Sequence, residues 1–376
     1  MVNLKANVYP LSAEAARQIY DRFAQYLASE PGDTSRLKEL LPPVEVIEAI
    51  ISAAFWASLR REENAIPKIS LAYITPEHSK EPLIFHQPLA LSASELARLS
   101  PAVERPGIHL GVWHHDGELK VWGTTRSVPR VGFVLEVVAP GLLVIKHRRL
   151  DGPGKFVNVA VLEGDKVSLL DHSPPQLSHC PALLSTLLGF ESPSAWVKSS
   201  NVLVQLAVSM RNHGRGGTLL LVPAGSTQWR ESIAHPIKYG VSPTYGELGR
   251  LLQADASSES DISRAVAAIA GLTAVDGATV LSDNYDLLAF GAKIRRREGS
   301  APLERICVLE PVVGSSSSIV AANVLGGTRH LSTAQFVHDQ PDAVGLVASQ
   351  DGEFTIFLWS ADDKLVHAHR ITVFML

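Results

Sequence analysis

A polar, proline-rich segment at 171–184 (DHSPPQLSHCPALL) separates two regions of this chain that differ in hydrophobic pattern. Segments of this composition are typical of domain boundaries. The chain has 376 residues, whereas a single hydrophobic core stops growing near ~250–300 residues. We therefore predict two parts, an N-terminal region at 1–175 and a C-terminal domain at 190–376.

The first sixty residues have the periodicity of two amphipathic helices. The apolar positions of the first helix are Ala15, Ile19, Phe23 and Leu27. Those of the second helix are Ile47, Ile51, Phe55 and Leu59. Ser12 is placed to cap the first helix, and two prolines at 42–43 precede the second. Helices of this kind need a partner surface for their apolar sides.

Residues 67–170 show period-two patterns or short apolar runs, which predict strands. The candidate strands are ISLAYIT, HLGVWH, LKVWGTT, VGFVLEVV, LLVIKHR, KFVNVAVLE and KVSLLD. Asp116-Gly117 between two of them is a strong hairpin signal. We expect a mostly antiparallel sheet backed by the two helices, which makes this region α+β.

After the proline-rich segment the pattern is mixed. A helical pattern (SSNVLVQLAVSMRN) leads into Gly214-Arg215-Gly216-Gly217 and then an apolar strand, TLLLVP. A long polar segment follows, and then a second helical pattern, SDISRAVAAIAG. The remainder alternates strand, turn and short helix. The C-terminal half is therefore predicted to be a mixed β-sheet flanked by helices, so that the whole chain is α/β.

Composition sets limits on the partners of the chain. The formal net charge of −4 gives no general attraction to nucleic acid or anionic lipid, so no such partner is indicated. The longest apolar run, VGFVLEVVAPGLLVIK, is too interrupted to span a bilayer. Cys180 and Cys307 lack metal-ligand spacing and are interpreted as buried residues in a reducing compartment. We expect a cytoplasmic protein without a membrane anchor.

One segment of the second half, AVDGATVLSDNYDLLAFGAKI, combines a carboxylate with small residues. Asp276 is followed at once by Gly277 and Ala278, and then by an apolar strand. Small residues let a ligand approach the backbone closely while a carboxylate projects beside it. The segment is therefore a candidate binding site.

A second segment, VLGGTRHLSTAQFVHDQPDAVGLVASQDGEFTIF, has the features of a phosphate site. Gly326-Gly327 leads into Thr328, Arg329 and His330, and a helical pattern (STAQFVHD) begins just after. A helix N-terminus presents unpaired N–H groups, and an arginine supplies a planar fork of donors. The alternative is a structural loop in which Arg329 is solvated and His330 lies in the core.

Together the two segments resemble the paired signature of diadenylate cyclase domains. RNHGRGGTLLLVP is similar to the family's first helix and strand, and PDAVGLVASQDGEFTIF to its final hairpin. Ser349 lies near a position that faces the nucleotide in that family. The resemblance covers roughly residues 195–360. The combination also resembles a divergent branch of the superfamily, often described as a probable sensor domain, which is thought to bind a nucleotide without cyclising it.

The resemblance implies a binding site for ATP or another adenine nucleotide, and a role for Mg²⁺ or Mn²⁺. Asp276 would hold the metal and activate a ribose hydroxyl in an active enzyme, whereas Thr328, Arg329 and His330 would bind phosphates. The full nucleotide-binding set is Asp276, Gly277, Ala278, Gly327, Thr328, Arg329, His330, Ser332 and Ser349. Active members pair two domains face to face, which implies a homo-oligomer, and they make cyclic di-AMP from two ATP molecules.

The chain departs from the family pattern in one important place. Leu331 stands where the family usually has a second arginine, which removes one phosphate-binding guanidinium. The KIRRR run at 293–297 could supply replacement charge or could be a solvated strand end. We therefore expect a nucleotide-binding sensor, with an active diadenylate cyclase as the alternative.

Other candidate sites are weaker. His109, His114, His115 and Asp116 could suggest a metal, but the hairpin places His114 and His115 on opposite faces. Ser226 and His235 form no recognisable nucleophile motif. There is no Gly-Lys-Ser/Thr motif of the Walker type either.

Overall fold

A computed structural model of the protein describes residues 9–29, 41–61, 66–79, 82–105, 107–148, 156–170, 197–254 and 258–372. The chain divides into two compact units, with the division between Leu170 and Asp171. The proline-rich segment at 171–184, which includes Cys180, lies outside the described residues.

The first unit contains three helices and eight strands among its described residues. The helices are α1 (Ser12–Ser29), α2 (Val44–Ser58) and α3 (Ala93–Val103). The strands are β1 (Ile69–Tyr73), β2 (Leu83–Ala90), β3 (His109–His115), β4 (Glu118–Thr125), β5 (Phe133–Ala139), β6 (Leu142–Arg148), β7 (Phe156–Glu163) and β8 (Lys166–Leu169).

These strands form one sheet in the order β2-β4-β3-β1-β5-β6-β7-β8. Its strand pairs are antiparallel except for β1 and β3. Alternate residues of β1 and β5 contact opposite sides: Leu71 and Leu135 pack with the helices, whereas Ala72 and Val134 join a smaller cluster on the other face. The predicted mostly antiparallel sheet backed by helices is confirmed.

Both predicted helices form, although their ends differ from expectation. The first apolar stripe is fully buried, from Ala15 to Leu27. Ser12 does not cap α1 in the usual sense, because its hydroxyl donates back to the carbonyl oxygen of Tyr9 at 2.7 Å. The second helix stops at Ser58, so that Leu59 falls beyond it and is exposed.

Two elements of the first unit were not predicted. The edge strand β2 has mostly exposed side chains and contains Pro88, so it lacks the alternation that indicates a strand. The helix α3 begins after Ser92, whose hydroxyl accepts a hydrogen bond from the N–H of Glu95 at 3.3 Å. This Ser-x-x-Glu spacing is a helix-start signal that the sequence does contain.

The second unit contains four helices and nine strands among its described residues. The helices are α4 (Val197–Asn212), α5 (Glu247–Gln253), α6 (Glu259–Leu272) and α7 (Thr328–Asp339). The strands are β9 (Gly217–Val222), β10 (Tyr239–Tyr245), β11 (Ala278–Ser282), β12 (Leu287–Ala292), β13 (Arg305–Leu309), β14 (Ser318–Ala321), β15 (Val344–Ala348), β16 (Phe354–Ser360) and β17 (Leu365–Arg370).

The second sheet has the order β10-β12-β11-β9-β15-β16-β17-β13-β14 and is mixed, since β9 pairs in parallel with β11 and β13 with β17. On β9, Leu219 and Leu221 contact the cluster formed with α4, α5 and α6, and Leu220 packs on the other face near Phe336 of α7. Helices thus cover both faces of the sheet.

The α/β fold class is therefore confirmed, with a mixed, helix-flanked sheet in the C-terminal half. Within the described ranges, no helix has the length and apolar character needed to cross a membrane.

Candidate functional site

Four strands and one helix of the second unit meet at one edge of its sheet. In the paired strands, Ala278 lies opposite both Thr218 of β9 and Ala292 of β12, while Thr218 lies opposite Val347 of β15. The start of β9 and β11 therefore lies beside the end of β12 and β15. The residues just outside these strand ends line a common cleft.

This cleft has a volume of about 530 Å³ and contains all nine predicted nucleotide-binding residues. They are Asp276, Gly277, Ala278, Gly327, Thr328, Arg329, His330, Ser332 and Ser349. The further lining residues are Thr218, Ala292, Lys293, Ile294, Leu325, Gly326, Val347, Gln350, Asp351 and Glu353. Segments about fifty residues apart in sequence are therefore brought together, as a shared binding site requires.

Asp276 lines this cleft and lies two residues before the start of β11. Its carboxylate is 88% exposed and accepts a hydrogen bond from the ammonium of Lys293. That hydrogen bond and the charge of Lys293 lower the pKa of Asp276, and the charge of Arg329 lowers it slightly more. Asp276 is therefore ionised near neutral pH, and its charge is compensated by a lysine.

Gly277 is constrained by the neighbouring strand as well as by the cleft. Its φ is 119°, and a Cβ at this position would lie 2.4 Å from the carbonyl carbon of Gly291. We interpreted this glycine from the sequence as a place where a ligand approaches the backbone. In the structure, the close approach that demands a glycine is made by β12.

The helix α7 begins at Thr328, earlier than the predicted start after His330. Gly327 is its N-cap residue, so Thr328, Arg329 and His330 form its first turn. The N–H of His330 donates to the carbonyl oxygen of Gly327 at 3.0 Å, whereas those of Thr328 and Arg329 precede the first hydrogen bonds of the helix. All three residues line the cleft, at the positive end of the helix dipole. The first turn of α7 thus has the properties of an anion site.

The glycine-rich segment before β9 makes room for Arg329. A Cβ at Gly216, whose φ is 68°, would lie 2.9 Å from a guanidinium nitrogen of Arg329. His213 holds this segment in place, since its Nδ1 accepts from the N–H of Arg215 at 3.2 Å and its Nε2 lies 3.1 Å from the hydroxyl of Thr273. The glycine at 216 thus leaves space beside the cleft for the guanidinium of Arg329.

His330 is buried beneath the cleft, with 7% of its surface exposed. Burial lowers the pKa of this imidazole, the charges of Arg370 and Arg329 lower it further, and the carboxylates of Glu353 and Asp351 oppose this only in part. Its ring lies edge-on to Phe357, with centroids 6.0 Å apart. His330 is therefore neutral near pH 7, and it can offer a phosphate a hydrogen bond but no positive charge.

Ser349 begins the turn between β15 and β16. Its backbone N–H donates to the carbonyl oxygen of Glu353 at 2.8 Å, and its hydroxyl accepts from the N–H of Glu353 at 3.1 Å. The guanidinium of Arg211 holds the turn through the carbonyl oxygen of Gly352 at 2.8 Å. The hydroxyl proton of Ser349 remains to be donated towards a ligand.

Lys293 is the cleft residue that sequence reasoning undervalued. The sequence indicates Lys293 only as part of the KIRRR run, which is either replacement charge or a solvated strand end. The register of β11 and β12 carries it to Asp276, while Arg297 turns elsewhere and pairs with Glu231 at 3.0 Å. The run therefore contributes one cation to the cleft, because only its first residue is adjacent to the strand end.

Leu331 points away from the cleft that its neighbours line. His330 and Ser332 are lining residues but Leu331 is not, and 39% of its surface is exposed. The missing second arginine therefore leaves no gap in the wall of the cleft within this chain.

The side chains of the cleft could hold a metal ion only together with a bound ligand that supplies further metal-binding oxygens. Mg²⁺ is usually bound by one or two carboxylates together with substrate phosphates and waters. Asp276 is the carboxylate predicted for this purpose, and Lys293 already neutralises it. No group of three or more His, Cys, Asp or Glu side chains suited to a metal is present in the described parts of the chain. The geometry fits a nucleotide-bound metal better than a metal held by the protein alone.

The histidines of the β3–β4 hairpin have separate partners. His109 is buried, with its Nδ1 2.7 Å from the hydroxyl of Ser70, whereas His115 lies 3.4 Å from the carboxylate of Asp116. The first unit also contains a larger cavity, of about 790 Å³, between α2 and the start of α3. Its lining is mainly apolar, with Trp56 and Leu59, and its charged lining residues are Glu45, Glu48 and Arg60.

Comparison with known families gives a match to the DACNV family over residues 36–126. The match is to a probable sensor domain. It covers about a quarter of the chain and runs from before α2 to the end of β4, within the first unit. No curated protein matches the chain. A sensor-type domain was predicted at 190–376, whereas the matched range lies in the region to which no role was assigned. The link between the C-terminal half and diadenylate cyclases stays a prediction.

Proposed function

We propose that the second unit binds an adenine nucleotide such as ATP and acts as a sensor rather than as an efficient catalyst. The observation that carries this proposal is the convergence of nine residues, selected from two distant sequence segments, on one cleft of about 530 Å³. This volume is within the usual range for small-molecule sites. The match to a probable sensor domain lies in the first unit, at 36–126, so it supports a sensing role for the chain and not nucleotide binding by the second unit.

The phosphates would bind at the first turn of α7. Thr328 and Arg329 offer a hydroxyl and a guanidinium, and the free N–H groups of the turn add backbone donors. Gly277 and Ala278 also line the cleft and would lie beside the nucleoside. A ligand of this kind would place the protein in the cytoplasm, where ATP is abundant.

An active diadenylate cyclase is the second candidate function, because Asp276 lies in the same cleft as Arg329. Two copies of the chain would have to face each other, and Mg²⁺ or Mn²⁺ would neutralise phosphate charge and polarise the ribose hydroxyl. Sensing is favoured by the absence of an arginine at 331. Before a ligand binds, Lys293 holds the carboxylate of Asp276 and lowers its pKa, which makes Asp276 a weaker base.

The proposal predicts that Arg329→Ala weakens ATP binding by about 10- to 100-fold, which is typical of a lost charge-assisted hydrogen bond. Isothermal titration calorimetry with ATP measures this change. Leu331→Ala is the matched control, since it lies two residues further along α7 and outside the cleft lining. Equal effects of the two variants, or no binding by the native chain, would contradict the proposal.

A second experiment distinguishes the two functions. The native protein is incubated with ATP and Mn²⁺, and the products are analysed by mass spectrometry. A sensor yields no cyclic di-AMP. If cyclic di-AMP forms, and Asp276→Asn abolishes it while ATP still binds, the protein is a cyclase despite Leu331.

A further inference from the structure

Lys293 and Asp276 form an ion pair across the strands β11 and β12. Ala278 lies opposite Ala292 in the antiparallel pair, so the residues just beyond them, on the cleft side, are brought together. The ammonium of Lys293 donates to the carboxylate of Asp276. Both side chains are largely exposed, at 57% for Lys293 and 88% for Asp276. The pair is therefore held by few other contacts, and either member can exchange its partner.

The charge balance of the cleft gives this pair a consequence for anion binding. Among the described residues lining the cleft, the cations are Lys293 and Arg329, and the carboxylates are Asp276, Asp351 and Glu353. While Lys293 neutralises Asp276, Arg329 is the cation that remains for a ligand. A polyphosphate carries more negative charge than one carboxylate and therefore competes effectively for an exposed ammonium.

We propose that Lys293 is the second phosphate-binding cation of this cleft, and that it exchanges the carboxylate of Asp276 for the phosphates when a nucleotide binds. This inference rests on the proposed function. Lys293, which directly follows β12, would supply the second positive charge that Leu331 cannot supply. Leu331 also lies outside the cleft lining. The flexible stem of lysine allows its ammonium to move between two nearby acceptors.

The test compares ATP with adenosine, using calorimetry on the full chain. Lys293→Met should weaken ATP binding by about 10- to 100-fold, because the contact between the ammonium and the phosphates is lost. Adenosine has no phosphates, so its binding should be unchanged. Lys293→Arg keeps the cation and should retain most of the affinity for ATP. Arg296→Gln is the matched control, since it removes one positive charge from the same run at an exposed position outside the cleft.

The variant Asp276→Asn tests the exchange of partners by Lys293 independently. Without metal ions, this variant should bind ATP several-fold more tightly than the native chain, because Lys293 no longer has a competing carboxylate. A role confined to holding the fold would instead leave ATP affinity unchanged or lower it.

The outcomes separate the inference from the proposed function. If Arg329→Ala weakens ATP binding while Lys293→Met behaves like Arg296→Gln, the nucleotide site stands and the assignment of Lys293 is wrong. If Lys293→Met weakens ATP and adenosine equally, its effect is structural and the inference also fails. If the native chain binds neither ligand, both the inference and the proposed function fall.

Discussion

At Gly277 the backbone has a φ of 119°, and a Cβ would lie 2.4 Å from the carbonyl carbon of Gly291 and 2.9 Å from the nitrogen of Ala292. Both effects act in the folded state, since one is backbone strain and the other is contact with a neighbouring strand. Asp276 immediately precedes this glycine, so the position of the carboxylate depends on a backbone that other residues do not readily adopt.

Gly277→Ala is therefore expected to lower the free energy of unfolding by about 2–4 kcal/mol, combining strain and overpacking. Denaturant unfolding without ligand measures it. Gly271→Ala is the matched control, because a Cβ there meets nothing within 4 Å in α6. That control should be neutral or stabilising by up to about 1 kcal/mol. If both variants lose a similar free energy of unfolding, contact with β12 is not the reason that residue 277 must be a glycine.

The helix α7 is seated on the sheet through a close approach to β15. A Cβ at Gly345 would lie 2.2 Å from Cγ2 of Thr333, which is fully buried. The hydroxyl of Thr333 donates to the carbonyl oxygen of Arg329 at 2.7 Å. The packing of this helix therefore sets where its first turn, with Arg329 and His330, meets the cleft.

Gly345→Ala should displace α7 and cost about 1–3 kcal/mol of stability through overpacking. It should also weaken ATP binding, because the first turn of α7 moves with the helix. Thr333→Ser removes Cγ2 and keeps the hydroxyl, so the double variant should regain part of both losses. A double-mutant cycle of unfolding and titration measures the coupling, and strictly additive effects would contradict this account.

Across the whole molecule, several histidines are buried in their neutral form. Burial lowers the pKa of His109 in the first unit and of His330 in the second. On β17, burial together with the neighbouring His367 lowers the pKa of His369 to about 3. The unfolded chain binds protons at these sites near pH 6.5, whereas the folded chain does not. Their contribution to stability is complete above pH 6.5 and is lost as the pH falls.

Between pH 7 and pH 5, His369 alone is expected to reduce the free energy of unfolding by about 2 kcal/mol, at about 1.4 kcal/mol for each pH unit below 6.5. Urea unfolding at the two pH values measures the loss. His369→Gln cannot be protonated in this range, so its unfolding should depend less on pH than that of the native chain. An unchanged pH dependence in the variant would contradict a neutral, buried His369.

Much of the fold follows from local periodicity. The helical stripe at Ala15 to Leu27 predicts α1 almost to the residue, because the helix buries the face that its period defines. The short apolar run LLVIKHR likewise predicts β6, in which Leu143, Val144 and Ile145 are all fully buried. The edge strands β2 and β10 were not predicted, since their side chains are mostly exposed and carry no such period. These two strands form because they pair with β4 and β12, and their own residues carry no strand pattern.

For the candidate cleft, the sequence by itself selected Asp276-Gly277-Ala278 and Thr328-Arg329-His330, because carboxylates, glycines and cations in such patterns are chemically distinctive. Only the tertiary structure decided that Lys293 reaches Asp276, that Leu331 turns outward, and that His330 loses its charge. Strand register and burial depend on residues far apart in the chain, and no local pattern encodes the distance between them.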